Sequence, residues 1–139
     1  MRRLFVDSSF YIAVLNRDDD FHHRSNVLGA ELDAEDAHTV TSQAVVFEVL
    51  AYFSRAGATS RARAADLVDR IRSSPTTEFV PSSVGLLDAA VTLYRQRLDK
   101  RYSLADCLAM VICRERGVTE ILSTDRDFEA EGFTILLKR

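Results

Sequence analysis

Short runs of apolar residues alternate along this chain with longer segments whose apolar positions recur about every three to four residues. A short continuous run, as at residues 4–6, predicts a strand buried on both faces, because a strand with one wet face would alternate. The longer segments predict amphipathic helices. We therefore expect strands over residues 4–6, 38–41, 78–80, 120–122 and 134–137, and helices over residues 8–15, 21–32, 44–56, 60–72, 84–98 and 104–116.

This alternation of strands and helices predicts an α/β fold with a mostly parallel central sheet covered by helices on both faces. Gly57 and Gly117 follow two of the predicted helices and suit their C-terminal caps. In such sheets the functional residues gather at the carboxyl ends of the strands. Asp7 lies at that end of the first strand and Asp125 lies just beyond that end of the fourth, so both are candidate site residues.

Glu48 is the most informative acid, because nearly all of its neighbours from Ala44 to Leu50 are apolar. A buried carboxylate without a partner is costly. A glutamate on a narrow exposed stripe of the helix, with Ala44, Ala51 and Arg55 beside it, is the alternative. We favour a functional role, since such a stripe would usually carry more charge than this one does.

The other acids each have a purely structural interpretation as well. Asp7 could be the N-cap of a helix, and Asp106 could belong to a Ser-x-x-acid capping box that begins at Ser103. Asp125 and Asp127 could close an Asx turn or cap a short helix. Together the acids indicate more, because carboxylates gathered at one end of a sheet repel one another unless a cation or protons neutralise them.

The candidate ligands are all carboxylate oxygens, which favours Mg²⁺ or Mn²⁺ over zinc. The three histidines, His22, His23 and His38, show no zinc-like spacing with a cysteine. Cys107 and Cys113 lie six residues apart in one predicted helix, so we expect both to be unpaired core residues.

Composition limits the remaining possibilities. The 139 residues are 47% hydrophobic and 28% charged, which is typical of a globular chain and suits one domain over residues 1–139. The net charge of −3 excludes a global basic field, so any contact with nucleic acid must be local. The sequence shows neither a signal-peptide pattern nor an apolar run long enough to span a membrane, so we expect a cytoplasmic protein.

In four segments the sequence resembles the PIN-domain nucleases, and among them the toxins of the VapC type from prokaryotic toxin–antitoxin pairs. The segments occur in the family's order and extend over nearly the whole chain. They are Phe5-Val6-Asp7-Ser8-Ser9, residues 42–48 entering a helix, Ser103-Leu104-Ala105-Asp106, and Ile121-Leu122-Ser123-Thr124-Asp125-Arg126-Asp127-Phe128.

The resemblance implies a single PIN domain over residues 1–139, with a parallel sheet in the strand order 3-2-1-4-5. It also implies that four acids form the catalytic and metal-binding set, namely Asp7, Glu48, Asp106 and Asp125. Three further polar side chains would surround these acids and hold them in place without binding the metal directly, namely Ser8, Thr124 and Asp127. Because the last acid of the family shifts in register, Asp125 and Asp127 remain alternatives for the fourth position.

The function that the resemblance implies is an Mg²⁺-dependent (or Mn²⁺-dependent) endoribonuclease that hydrolyses RNA phosphodiester bonds. Its partners would be an RNA substrate, a cognate antitoxin protein and a second copy of the chain in a homodimer. The helix predicted over residues 44–56, with Tyr52 and Phe53, could supply contact surfaces unless both rings lie in the core. Two alternatives stay open: a catalytically silent PIN-like module that only binds a partner, and a PIN nuclease of RNA processing without an antitoxin.

An RNA substrate would also need local positive charge. The chain has eighteen Lys and Arg residues, and only Lys100 and Lys138 are lysines. Guanidinium groups suit bidentate contacts to phosphate. A dense basic run usually means a solvated helix face, but one such run lies just before the Asp106 helix and is a candidate RNA-binding segment: Arg95, Arg97, Lys100 and Arg101.

Overall fold

A five-stranded parallel sheet organises the fold, with its strands in the order β3-β2-β1-β4-β5. The computed structural model describes residues 1–138. In chain order the elements are β1 (Arg3–Val6), α1 (Ser8–Leu15), α2 (His22–Ala34), β2 (His38–Ser42), α3 (Gln43–Tyr52), α4 (Ala58–Ser73), β3 (Thr77–Val80), α5 (Val84–Gln96), α6 (Leu104–Arg116), β4 (Glu120–Leu122), α7 (Asp127–Ala130) and β5 (Thr134–Ile135). The α/β fold and the strand order implied by the resemblance are confirmed.

β1 lies at the centre of the sheet and is buried on both faces. Leu4 and Phe5 are fully buried, and Val6 is 2% exposed. Since successive side chains of a strand point to opposite faces, burial of all three means that both faces are covered. Phe5 pairs with Val40 of β2 on one side and with Ile121 of β4 on the other. The carboxyl ends of β1 and β4 therefore lie side by side.

The C-terminal end of α3 differs from its prediction. We expected a helix over residues 44–56 capped by Gly57, but α3 ends at Tyr52. The Ser54 hydroxyl donates to the carbonyl of Ala51 at 2.7 Å, and such a side-chain bond competes with continuation of the helix. Gly57, with a φ of 94°, is instead the N-cap residue of α4. The prediction that Gly57 caps the C-terminal end of the helix over residues 44–56 was therefore wrong.

Two further elements end earlier than expected. β5 ends at Ile135 instead of residue 137, and α5 ends at Gln96 instead of residue 98. Arg97 leaves the helical conformation, with φ −126° and ψ 47°, and its guanidinium binds Glu131. By contrast, Gly117 adopts the left-handed conformation with φ 66° and closes α6, as predicted.

The cysteines agree with the sequence-based expectation. Cys107 and Cys113 on α6 are both free and buried, so they belong to the core. Across the described chain, every helix is too short or too polar to cross a membrane.

Glu131 connects three segments around α6. Its side chain is 5% exposed and accepts hydrogen bonds from Arg97 Nε at 3.0 Å, from the Tyr102 hydroxyl at 3.0 Å and from Arg114 Nη2 at 3.0 Å. The bond from Arg97 makes the largest contribution to lowering the pKa of Glu131 to about 2. Because Arg97 and Tyr102 precede α6 and Glu131 follows α7, this network fixes the segment that leads into Asp106.

We expect Glu131→Gln to destabilise the fold by about 1.5–3 kcal/mol at neutral pH, the range for hydrogen bonds to a charged group. A carboxylate with a lowered pKa stabilises the fold at a pH above its unfolded value of 4.5, and that contribution is lost as the pH falls toward about 2. Wild type and variant should therefore differ in urea unfolding at neutral pH and converge in strong acid.

The matched control is Glu129→Gln, since Glu129 precedes Glu131 by two residues but forms an exposed ion pair with Lys138 at 2.9 Å. An exposed pair contributes little, so this variant should unfold like wild type. Equal stability of Glu131→Gln and Glu129→Gln at neutral pH would contradict the role given to Glu131.

Candidate active site

The adjacent ends of β1 and β4 bring Asp7 and Ser123 together at the edge of the sheet. The Asp7 N–H donates to the carbonyl of Leu122 at 3.1 Å, which extends the pairing of the two strands by one residue. Asp7 is only 7% exposed. The Ser123 hydroxyl donates to Asp7 Oδ2 at 2.7 Å, and Ser9 Oγ lies 3.4 Å from the same oxygen. Two serines thus hold one oxygen of a buried carboxylate.

Neither Ser9 nor Ser123 was predicted to be a site residue, although both lie within two residues of a candidate acid. Serine is common in turns, so their positions alone gave no distinguishing signal. Ser9 Oγ also accepts the Thr124 N–H at 3.1 Å, and Ser123 Oγ accepts the Asp125 N–H at 3.0 Å. Thr124, expected to support the acids, contributes its backbone N–H to this network.

Asp7 also occupies the N-cap position of α1, which is the alternative role considered for it from the sequence. Within residues 1–138, however, its side chain makes no capping hydrogen bond to the helix. The carboxylate is bound by the serine hydroxyls instead, so capping does not explain an aspartate at this position.

Asp106 is the third residue of α6 and forms the capping box considered from the sequence. The Ser103 N–H donates to Asp106 Oδ2 at 2.9 Å, and the Asp106 N–H donates to Ser103 Oγ at 3.1 Å. Among the described residues, no donor binds Asp106 Oδ1. The capping role therefore occupies one carboxylate oxygen and leaves the other for a ligand.

Asp125 and Asp127 lie in the turn between β4 and α7. The Asp127 N–H donates to Asp125 Oδ1 at 2.9 Å, which is the Asx turn that the sequence suggested. One oxygen each of Asp106, Asp125 and Asp127 lie within 4.8 Å of one another. The structure thus brings Asp127, predicted as a supporting residue, into the same group as Asp125.

This group of three fits a divalent cation. Oxygen ligands on opposite sides of one Mg²⁺ are about 4.2 Å apart, so small rotations of these side chains would bring all three within reach of one ion. The donors are all carboxylate oxygens, which Mg²⁺ and Mn²⁺ prefer. Asp106, Asp125 and Asp127 can therefore hold a metal ion.

Glu48 lies on α3, half-buried, and interacts with the acids at the sheet edge. Burial raises its pKa to about 7, the charges of Asp7 and Asp106 add to the rise, and the Ser8 hydroxyl opposes it. Because the charges of Asp7 and Asp106 act on Glu48, its side chain lies toward the site, and it is less exposed than Ala51 and Arg55 of the stripe considered from the sequence. Ser8, also predicted to support the acids, lies near Glu48 and lowers its pKa.

The other acids share this electrostatic environment. Burial raises the pKa of Asp7 and of Asp125, and it raises the pKa of Asp106 to about 6. The charge of Asp125 raises the pKa of Asp7 further, and the charges of Asp7 and Asp125 do the same at Asp106. The site therefore favours bound protons or a bound cation over four free negative charges.

The basic residues before α6 differ in whether their charge is paired within the protein. Arg97 is bound to Glu131, so its charge is already neutralised within the protein. Arg95, Lys100 and Arg101 are exposed. Arg95 also lines an open cleft of about 550 Å³ at the start of α6.

Comparisons with known proteins agree with this fold. The PIN domain family model matches residues 4–133. The chain is similar to VapC20 of Mycobacterium tuberculosis, a sarcin-ricin loop cleaving toxin, at 26% identity and TM-score 0.80 over 94% of this chain and 96% of that one.

Two more solved structures show a likeness of fold alone. One is VapBC2 from Rickettsia felis bound to a promoter DNA fragment, at 12% identity and TM-score 0.66 over 96% of this chain and 97% of that one. The other is FitAcB from Neisseria gonorrhoeae, at 15% identity and TM-score 0.65 over 96% of each chain. No curated protein sequence matches the chain significantly.

In metal-free solution, the melting temperature should fall as the pH rises from about 4 to about 7. In this range the folded protein retains protons on Glu48 and Asp106 that the unfolded chain has released, because folding raises their pKa values from 4.5 to about 7 and from 3.8 to about 6. Stability decreases with pH wherever the folded state binds more protons. Thermal unfolding in EDTA measures this decrease of the melting temperature with pH, and added Mg²⁺ should make the decrease smaller.

The contribution of Glu48 can be isolated by substitution. Glu48→Gln removes one titrating group, so its melting temperature should fall less steeply with pH than that of wild type. Glu115→Gln, which alters an exposed residue of α6, should leave the slope unchanged. Equal slopes for wild type and Glu48→Gln would show that Glu48 does not titrate as described.

Proposed function

Since this chain belongs to the PIN domain family, we propose that it is a metal-dependent endoribonuclease that hydrolyses RNA phosphodiester bonds with Mg²⁺ or Mn²⁺. The observation that carries the proposal is the convergence of acidic side chains at the carboxyl edge of the sheet. Asp106, Asp125 and Asp127 bring oxygens within 4.8 Å of one another, beside the buried Asp7.

In this proposal the acids have different roles. Asp106, Asp125 and Asp127, whose oxygens approach one another, would hold the cation, and Asp7, whose charge acts on Asp106, would be a further ligand. A bound divalent cation would neutralise charge on the scissile phosphate and lower the pKa of a water. Glu48, whose pKa is about 7, suits a general base that takes the proton of the attacking water, because such a base works best near the operating pH.

A catalytically silent partner-binding module is the alternative from a different class. Such a module has no need for buried like charges, which repel and raise the pKa of Asp7, Glu48 and Asp106. The presence of Asp7, Glu48 and Asp106 together supports hydrolysis over binding alone.

We also propose that the protein is the toxin of a toxin–antitoxin pair, with a cognate antitoxin as its protein partner. The support is its likeness to VapC20, which is a toxin, over nearly the full length of both chains. A PIN nuclease without an antitoxin would share the site, so isolation of the protein from its source with or without a small bound partner distinguishes the two.

A homodimer is the third part of the proposal. Val84, Leu87 and Tyr94 lie on one face of α5, and all three are exposed. Phe47 and Leu50 on α3 are exposed as well. Exposed apolar side chains grouped on one face of a helix often mark an interface, and a second copy with two-fold symmetry could cover them. Of the aromatic pair considered from the sequence, Phe53 belongs to the core and Tyr52 is exposed.

Leu87→Glu should convert the proposed dimer to a monomer, because it places a charge in an apolar contact. Light scattering at high protein concentration measures the molar mass. Val27→Glu on α2 is the matched control, since Leu87 and Val27 are both 43% exposed, and it should leave the dimer intact. A wild-type protein that is monomeric at every concentration would remove the dimer from the proposal.

Asp7→Asn tests the nuclease itself. The substitution removes a charge and nearly keeps the shape, so RNA cleavage should fall by at least about a hundredfold if Asp7 holds the cation. The melting temperature in EDTA should stay the same or rise, because one repelling charge is gone. The stabilisation by Mg²⁺ should be smaller than in wild type.

Asp69→Asn, at an exposed position of α4, is the control and should behave as wild type in all three measurements. If Asp7 acted only as an N-cap, asparagine would serve equally well and no measurement would change. Cleavage by Asp7→Asn at the wild-type rate would therefore defeat the proposed mechanism.

A further inference from the structure

An open cleft of about 450 Å³ lies between the end of α1 and the turn that joins α3 to α4. Three arginines line it, namely Arg17, Arg55 and Arg63, together with the aromatic ring of Tyr52. None of the described residues that line it is acidic. We call this feature the arginine cleft. In a chain with a net charge of −3, it is a local concentration of positive charge.

The charges of the arginine cleft are not neutralised by the fold. Within residues 1–138, neither an ion pair nor a side-chain hydrogen bond engages the guanidinium of Arg17, Arg55 or Arg63. Arg97 and Arg116, by contrast, are bound to glutamates at 3.0 Å and 2.8 Å. The cleft arginines are therefore available to an anionic ligand.

Tyr52 gives the cleft a fixed aromatic surface. The residue is 53% exposed, and its hydroxyl accepts a hydrogen bond from Asn16 Nδ2 at 3.2 Å. Its ring packs edge-on against Phe53, with ring centroids 4.9 Å apart. Phe53 is buried in the core, so the tyrosine ring is held from two sides while much of it stays open. A ring held in this way can stack on a base without first being ordered.

Helix α3 carries both Glu48 of the acidic site and Tyr52 of the arginine cleft. Tyr52 follows Glu48 by four residues, so the two share one face of the helix and are separated by one turn, about 6 Å along its axis. A strand whose phosphate lies at the acids can therefore reach the cleft with the next nucleotides.

We propose that the arginine cleft binds the RNA strand beside the cleaved bond, with phosphates on its three arginines and a base stacked on Tyr52. This proposal rests on the proposed nuclease function and adds a binding surface to it. Guanidinium groups match the geometry of phosphate, and aromatic rings are the surface on which single-stranded bases stack. An acidic protein segment would use the arginines but would leave the ring without a role, so RNA is the favoured ligand.

The first test measures affinity without cleavage. Binding of a short fluorescent oligouridylate is followed by anisotropy across a range of salt, with Mg²⁺ present and Asp7→Asn in every protein. The triple variant Arg17→Gln, Arg55→Gln, Arg63→Gln should bind at least about tenfold more weakly than its parent. The slope of log affinity against log salt should decrease by about 2, since each phosphate contact on a single strand contributes about 0.7.

The second test separates stacking from charge. Tyr52→Ala should weaken binding about fivefold or more with little change in the salt slope, whereas Tyr52→Phe keeps the ring and should bind nearly as the parent does. Arg24→Gln removes one exposed positive charge of α2 outside the cleft; as the control, it should change neither affinity nor slope.

Several outcomes would overturn the proposal. One is a triple variant with the affinity and salt slope of Arg24→Gln. Another is a salt slope that decreases only when Arg95, Lys100 and Arg101 are replaced, which would show that the RNA binds to the basic run before α6. A third is a triple variant that loses binding to polyglutamate but not to RNA, which would assign the cleft to an acidic partner. RNA binding in the cleft by a protein that cleaves no RNA would support this proposal and contradict the nuclease function, so the two fail separately.

Discussion

The gathering of carboxylates at one half-buried sheet edge is the constraint on which the rest of this structure depends. Parallel pairing of β1 with β4 places Asp7 beside Ser123, while α3 and α6 bring Glu48 and Asp106 to the same edge. Burial and mutual repulsion raise the pKa of these acids. The cluster therefore depends on bound protons or a bound cation, and on a fold that holds the side chains in place.

Hydrogen bonds within the protein orient the carboxylates of three of the acids. Asp7 uses Oδ2 for Ser123, Asp106 uses Oδ2 for the Ser103 capping box, and Asp125 uses Oδ1 for the turn before α7. These bonds are ordinary elements of caps and turns, so the structural and functional interpretations of the acids do not compete. The same contacts that begin α6 and α7 also orient the group in which Asp106, Asp125 and Asp127 approach one another.

Arginines have two roles in this molecule, and the presence or absence of a glutamate partner distinguishes these roles. Some arginines are bound to glutamates that join distant segments, as Arg97 and Arg114 are at Glu131. Those of the arginine cleft have no such partner in the described chain and surround an exposed tyrosine ring. A net charge of −3 is therefore compatible with a surface that attracts phosphate, because attraction depends on which charges are left unpaired at one place.

The sequence by itself determined the features that depend on neighbouring residues: the periods of strands and helices, the left-handed Gly117, the Ser103–Asp106 capping box, and the position of Asp7 at a strand end. Only the tertiary structure decided the contacts between distant residues. Ser123 meets Asp7 across 116 residues, Arg97 meets Glu131 across 34, and Asp127 joins Asp106 because α7 follows β4 beside the start of α6. Such partners follow from the register of strands and the packing of helices, and no local pattern of hydrophobic and polar residues specifies them.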